Sequence, residues 1–339
     1  MDLFERVKTV TEMCAVSGRE HMAFAELKDK FGHMFDEIFT TATGSFVGIK
    51  RCGKENAPKL LFDAHLDEIG FMVKQICDGG FLKVTNIGGI DTKVLSAAEV
   101  WIHGKERISG VFASVPPHLK EGDGKQKLLL TDMVIDTGRS KEYLEENVQV
   151  GTVCSFKATT ERLLGNHVVG KSFDDKICIC TILGALDILA DKDINVDLIA
   201  QFSGGEEIGY VGAATAGFTA DPDYAVAIDV TNSFVPESPK RKEDNRLGNG
   251  GVISFSGTTS RPLTKRFIKA VDDAGIPYQV VGEPGRTGTN AQVLQILRSG
   301  VPTALISVPL KNMHTQAETA CLDDVENVSR ALAALAQSF

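Results

Sequence analysis

Strands alternate with helices at both ends of this chain but not in its middle, and that change of pattern limits the fold more than any other feature. Apolar spacing predicts helices over 2–14 and 20–31 and strands over 36–40 and 45–50. Lys59-Leu60-Leu61-Phe62-Asp63-Ala64 reads as a short strand, and a second run at 68–73 follows a charged turn. From about 73 to 164 the pattern differs. Short β-like runs at 81–87, 99–103, 107–115, 128–135 and 152–157 are divided by Gly and Pro turns, and only 140–147 has helical spacing. After 165 the alternation returns. Helices are expected over 174–189, 208–217, 261–274, 291–297 and 322–335, and strands over 196–202, 224–229, 278–281 and 302–308. The expected class is α/β. An α/β/α domain with a mixed sheet, made of residues 1–72 and 165–339, is interrupted by a small all-β, barrel-like domain at 73–164.

Composition narrows the function. Lys and Arg number 36 against 45 Asp and Glu, for a net charge of −9, so no basic footprint for nucleic acid exists. Hydrophobic residues at 43% suit a globular chain rather than a disordered one. Met1-Asp2-Leu3-Phe4-Glu5-Arg6 carries charge where a signal peptide carries an apolar core, and the apolar stretch at 177–190 is too short to span a membrane. The seven cysteines are scattered with no CxxC pair, and Cys178-Ile179-Cys180 reads as buried packing. A reducing, cytoplasmic compartment is expected.

Sites in α/β proteins form at strand ends. Here those ends carry acids and histidines. His65-Leu66-Asp67 follows the strand 59–64, and Asp174-Asp175 opens a helix. Glu206-Glu207 follows the strand 196–202 through Ser203-Gly204-Gly205, Asp229 ends the strand 225–228, and His314 follows the strand 302–308. Singly, each is an ordinary cap, loop acid or satisfied histidine. Jointly they supply imidazoles and carboxylates in the mixture that borderline divalent metals take. Two metals about 3.5–4 Å apart need this many ligands, with one carboxylate between them and one acid left over as a base.

The runs themselves resemble a family. Ala64-His65-Leu66-Asp67-Glu68-Ile69-Gly70-Phe71, Gly170-Lys171-Ser172-Phe173-Asp174-Asp175-Lys176, Gly205-Glu206-Glu207-Ile208-Gly209, Ala227-Ile228-Asp229-Val230-Thr231 and Met313-His314-Thr315 with Glu318 resemble, in order, the motifs of the M42 dinuclear metalloaminopeptidases. These include glutamyl, deblocking and tetrahedral aminopeptidases. Val115-Pro116-Pro117-His118-Leu119, Ile135-Asp136-Thr137-Gly138 and Val150-Gly151 match within the insert. The resemblance implies an aminopeptidase acting on short peptides with two divalent ions per chain, Zn²⁺ or Co²⁺ first and Mn²⁺ next. It implies that His65, Asp174 and Asp229 hold one ion and Asp174, Glu207 and His314 the other, with Asp174 bridging. Glu206 is then the general base and Asp67 orients His65. It also implies a homo-oligomer built through the insert, with a dimer as building block and a dodecamer among its forms.

Three positions depart from the family pattern. Lys176 replaces a usual Arg, Val211 stands where an Arg often precedes Gly-Ala, and Asn290 replaces a usual Asp. One competing motif exists. Gly165-Asn166-His167-Val168-Val169-Gly170-Lys171-Ser172 fits GxxxxGK[ST], and a phosphate-binding loop there would make the chain a nucleotide hydrolase. A non-catalytic peptide- or metal-binding protein is the remaining alternative. A glycosidase is disfavoured by a single Trp, and GxSxG and HExxH runs are absent. His21, His33, His103 and His167 read as surface or structural, and Lys240-Arg241-Lys242 as a solvated loop.

Overall fold

The computed structural model describes residues 1–114, 129–236, 238 and 245–339. The motifs at 115–119 and 240–242 lie outside the described residues. The chain opens with helices α1 (Leu3–Glu12) and α2 (His21–Phe31), then strands β1 (Glu37–Thr40), β2 (Phe46–Lys50) and β3 (Lys59–His65). Next come β4 (Gly70–Cys77), β5 (Phe81–Ile87), β6 (Glu99–His103), β7 (Arg107–Phe112), β8 (Ile135–Asp136), α3 (Lys141–Asn147) and β9 (Val153–Phe156). A bridging segment carries β10 (Glu161–Arg162) and β11 (His167–Gly170). The last part alternates: α4 (Phe173–Leu189), β12 (Asp197–Ser203), α5 (Val211–Ala220), β13 (Tyr224–Asn232), β14 (Gly251–Ser256), α6 (Arg261–Asp273), β15 (Tyr278–Glu283), α7 (Ala291–Leu294), β16 (Thr303–Leu310), β17 (Glu318–Cys321) and α8 (Leu322–Gln337).

Eight strands form one mixed sheet in the order β1-β2-β12-β3-β13-β16-β14-β15. Its centre is parallel, with β3 between β12 and β13 and β16 beyond. Both faces are covered, as parallel strands require. Alternation along β3 shows how. Leu60 and Phe62 enter the larger core under α4 and α8, whereas Leu61 enters a smaller core with Ala213 and Ala216 of α5 and Leu294 of α7. α4 is apolar around its whole circumference because the sheet lies on one side and α1 and α8 on the other. α6 starts where Ser260 caps the Leu263 N–H and Pro262 follows in the first turn.

Strands β4-β5-β8-β7-β6-β9 close a small barrel. Its core is separate from the other two and centres on Phe71, whose ring lies 4.8 Å from Phe112 and 5.4 Å from Phe156. The fold is thus the expected α/β architecture with a small inserted all-β unit. No described helix is long and apolar enough to cross a membrane.

Several boundaries differ from expectation. The run at 68–73 pairs only from Gly70 onward, because Glu68 turns inward to an isolated bridge with Val16. The helix expected at 208 starts at Val211, after Tyr210 adopts a left-handed conformation. In the expected strand at 128–135, Leu130–Asp132 is a 3-10 turn and pairing begins at Ile135. The helix expected over 291–297 is one turn, Ala291–Leu294.

The phosphate-loop reading is overturned. Residues His167–Gly170 are strand β11, paired to β10 on one edge and β17 on the other. A ladder paired on both edges cannot wrap a phosphate. Lys171, which would reach that phosphate, is buried with its Nζ 2.5 Å from Glu68 Oε2.

Candidate metal centre

The central parallel strands bring their C-terminal ends to one side of the sheet, where ligands bind in open α/β folds. His65 is the last residue of β3 and pairs in register with Ser203 of β12. Beyond Ser203 the chain turns through Gly204 and Gly205 to Glu206 and Glu207. Gly205 has φ +67 and donates its N–H to Glu20 Oε1 at 3.0 Å. Asp229 lies within β13, and His314 follows β16. Asp174 stands at the start of α4 with φ −74 and ψ 104, outside helical geometry.

These residues converge. Asp174 Oδ1 lies 3.1 Å from His65 Nε2, and Asp174 Oδ2 lies 3.1 Å from His314 Nε2. His314 Nε2 is also 3.1 Å from Glu207 Oε1, and His65 Nε2 is 3.9 Å from Glu206 Oε2. Three groups bring ligand atoms within 4.8 Å of one another: Asp174, Glu207 and His314; His65, Asp175 and Asp229; and His65, Glu206 and Glu207. The first is the set that the sequence suggested for one ion. The second contains Asp175, to which the sequence assigned no role.

The surroundings orient the cluster. His65 Nδ1 lies 3.0 Å from the Asp67 carbonyl, which turns Nε2 toward the acids. The Asp67 carboxylate is 3.6 Å from that nitrogen and serves mainly elsewhere. It accepts from the Glu206 N–H at 3.0 Å, the Glu207 N–H at 3.2 Å and Ser17 Oγ at 2.7 Å. Glu318 accepts from the Asp174 N–H at 3.1 Å and the His314 N–H at 2.8 Å, joining two elements far apart in sequence. Asp175 accepts the His65 N–H at 3.0 Å through Oδ2, while its buried Oδ1 has no partner among the described residues.

The electrostatics call for cations. Asp174, Asp175, Glu206, Glu207, Asp229 and Glu318 crowd one buried region, and among the described residues their ion pairs are with histidine alone. Burial holds Glu206 in its acid form up to about 9, with Asp229 and Glu207 adding repulsion. Burial and Asp174 push Asp229 to about 8 and Glu318 to about 8. Burial opposes protonation of His314, but Asp174 and Glu207 outweigh it and raise the ring to about 11. Paired imidazoles amid ionisable oxygens, with a buried carboxylate oxygen left over, fit divalent ions of the borderline class.

By contrast, Glu68 beneath the cluster is already neutralised. Lys171 and Lys176 outweigh its burial and hold its carboxyl far below the usual range. The sequence offered two signals for the residues it missed. Asp175 adjoins Asp174, and Glu318 stands four residues after His314. Ser17 and Glu20 had none, because their partners are distant in the chain, and Lys171 drew notice only through its motifs, not as the partner of Glu68.

The cluster lines a cavity of about 510 Å³. Tyr210, Thr231, Asn232, Glu283 and Thr287 form its far walls. The barrel contributes an edge, since a Cβ at Gly89 would stand 3.3 Å from His314 Nδ1. The sequence profile of the M42 glutamyl aminopeptidase family matches residues 44–330.

The chain belongs to the M42 family.

Similar aminopeptidases cover nearly all of it. The lysyl aminopeptidase of Pyrococcus furiosus is 33% identical over 99% of this chain and 97% of its own. A TET aminopeptidase from a marine-sediment Thaumarchaeota archaeon superposes with a TM-score of 0.92 at 29% identity, covering 99% of this chain and 96% of that one. The Pyrococcus horikoshii TET1 peptidase, described as assembling into a tetrahedron or a large octahedral shell, superposes at 0.86 with 30% identity over 99% of both chains. M42 membership makes this chain an aminopeptidase.

Proposed function

We propose that the cavity is the active site of a dinuclear metalloaminopeptidase that releases single residues from the free N-termini of short peptides. The observation that carries this reading is Asp174, whose two oxygens each face a different imidazole at 3.1 Å. One ion is assigned to Asp174, Glu207 and His314, the other to His65 and Asp229 with Asp174 shared. Asp175 holds the His65 main chain from behind. Zn²⁺ or Co²⁺ suits this donor set, and Mn²⁺ is the next choice. When bound, such a pair polarises the scissile carbonyl and lowers the pKa of a water toward neutrality.

The chain's own residues carry the proton work. Glu206 stands beside the cluster, and its main chain is fixed by Asp67. With the charge of bound cations offsetting the burial and repulsion that hold it protonated, it stands as the carboxylate, takes the proton of the attacking water and returns it to the leaving amine, a transfer worth on the order of 10²–10⁴-fold. The acid-lined cavity favours the ammonium of a peptide N-terminus over an internal, uncharged segment. Homo-oligomer assembly is part of the same reading, supported by the TET relatives.

The test uses a panel of aminoacyl and short-peptide substrates. Stripped protein is assayed alone and with added Zn²⁺, Co²⁺ or Mn²⁺, beside Glu206→Gln. Metal-restored release that falls at least about 100-fold in the variant is expected. No release with any metal, despite two bound ions per chain, would overturn the assignment.

A further inference from the structure

One buried polar contact behind the cavity is not used by the chemistry above. Asp63 lies on β3, two residues before His65 and so on the same face of the strand, deeper toward α5 and α7. It is 0% exposed. Its carboxylate accepts from Gln201 Nε2 at 2.7 Å through Oδ1 and from Asn290 Nδ2 at 2.8 Å through Oδ2. The same Asn290 amide reaches Ser203 Oγ at 2.9 Å, and Asn290 is itself only 3% exposed. Among the described residues no lysine or arginine forms an ion pair with Asp63. The carboxylate is held by neutral amides.

The position of Asn290 gives this contact meaning. It flanks the start of α7 and directly follows Thr287, Gly288 and Thr289, which line the cavity. Ser203 ends β12, three residues before Glu206. One amide group therefore ties the cavity wall both to the strand that carries His65 and to the strand that leads to the base.

We propose that Asp63 and Asn290 are a matched acceptor–donor pair that positions the cavity wall against the metal-bearing strands, and that asparagine at 290 is the complement of aspartate at 63. The donor and acceptor inventory carries the argument. A carboxylate at 63 only accepts, so its partner must donate. Aspartate at 290, the residue the family resemblance has there, would put a second carboxylate 2.8 Å from the first, so one of the two would have to take up a proton to replace the hydrogen that the asparagine amide supplies. Exchanging both residues restores the match. An amide at 63 would donate to a carboxylate at 290 while its oxygen keeps the Gln201 bond, and that carboxylate would accept from the Ser203 hydroxyl. Asn290 acts here as a positioning residue, since it lies behind the wall.

The experiment compares Asn290→Asp, Asp63→Asn and the double exchange in the metal-loaded protein. Asn290→Asp is expected to lower the melting temperature by about 2–4 °C and the double exchange to recover most of it. Metal content is expected to stay unchanged, while kcat/KM falls about 10–100-fold, chiefly through KM, and recovers in the double exchange. A double exchange no better than Asn290→Asp in melting and in kcat/KM would overturn the pairing. A less stable Asn290→Asp protein with unaltered kcat and KM would overturn the positioning role. The kinetic arm rests on the aminopeptidase reading. If the wild-type chain itself releases nothing, that reading fails, while the melting temperatures still decide the pair.

Discussion

Lys176 Nζ lies 3.0 Å from Glu68 Oε1, with both side chains sealed from solvent. Lys171 holds the other oxygen of the same carboxylate at 2.5 Å, and Lys176 also donates to the Met13 carbonyl at 2.6 Å. One anion thus serves two cations beneath the metal cluster. Breaking a buried pair costs most when it strands a charge. Glu68→Gln strands two ammonium groups, so its unfolding free energy is expected to fall by about 3–5 kcal/mol. Lys176→Met leaves Glu68 paired with Lys171 and loses one carbonyl contact, for about 1–3 kcal/mol. Urea titration of both variants checks the order. A larger loss for Lys176→Met would contradict it.

Glu318 links the Asp174 and His314 main chains. Glu318→Ala frees both, and outer partners of this kind typically contribute 10–100-fold in metal affinity. The loss is expected to be larger at the Asp174–Glu207–His314 group, where two ligands lose support, than at the other group, which shares only Asp174. Dialysis against a graded chelator, followed by metal analysis, should show one ion per chain leaving early and the other retained.

Gly88 carries φ +75, and a Cβ there would stand 2.6 Å from Ile69 Cγ2 and 3.2 Å from Glu207 Oε2. Gly88→Ala therefore combines a left-handed strain of about 1–2 kcal/mol with pressure on a ligand. Reduced activity is expected together with weaker retention of one ion. A loss of melting temperature with full activity would show that the barrel edge has no say in the chemistry.

Glu20 sets a pH dependence. Its carboxylate accepts from the Gly18 and Gly205 N–H groups, but burial outweighs these bonds and, with Asp67 nearby, pushes it to about 7 from an ordinary 4.5. The folded chain then holds this proton more tightly than the unfolded chain. The resulting stability is full below about 4.5 and is lost as pH rises through about 7. Glu20→Gln keeps the acceptor and removes the titration. The difference in melting temperature between variant and wild type should grow in the variant's favour across that window. A difference that stays flat would exclude Glu20 as the source.

Much of this site was legible because strand ends advertise themselves. His65, Asp174, Glu206, Glu207, Asp229 and His314 each stand at or just past the end of an apolar strand or at a helix start, and polar residues at such ends of α/β elements collect on one side of a sheet. Contacts that depend on tertiary approach were not legible. Glu20 meets Gly205, Glu68 meets Lys171, and Glu318 reaches back to Asp174, all without a local spacing rule. The three-stranded sheet β10-β11-β17 was missed for the same reason, since its members lie far apart and its middle strand mimics a phosphate-loop motif. Helix starts were misplaced where a left-handed residue, such as Tyr210, delays the first turn.

The strand order has a consequence for how this chain is made. β2 pairs with β1 and β12, and β3 pairs with β12 and β13, so the two early strands never pair with each other. During synthesis they emerge with open apolar edges and must wait while the entire barrel is translated. At about 5–20 residues per second that wait is on the order of 10 seconds. The barrel can close in that interval from its own sequence, whereas the sheet forms only when β12 slots between strands already outside the ribosome. Chaperone demand should therefore concentrate on the segment that carries β2 and β3, fall with the arrival of β12 and end only when β13 covers the other edge of β3.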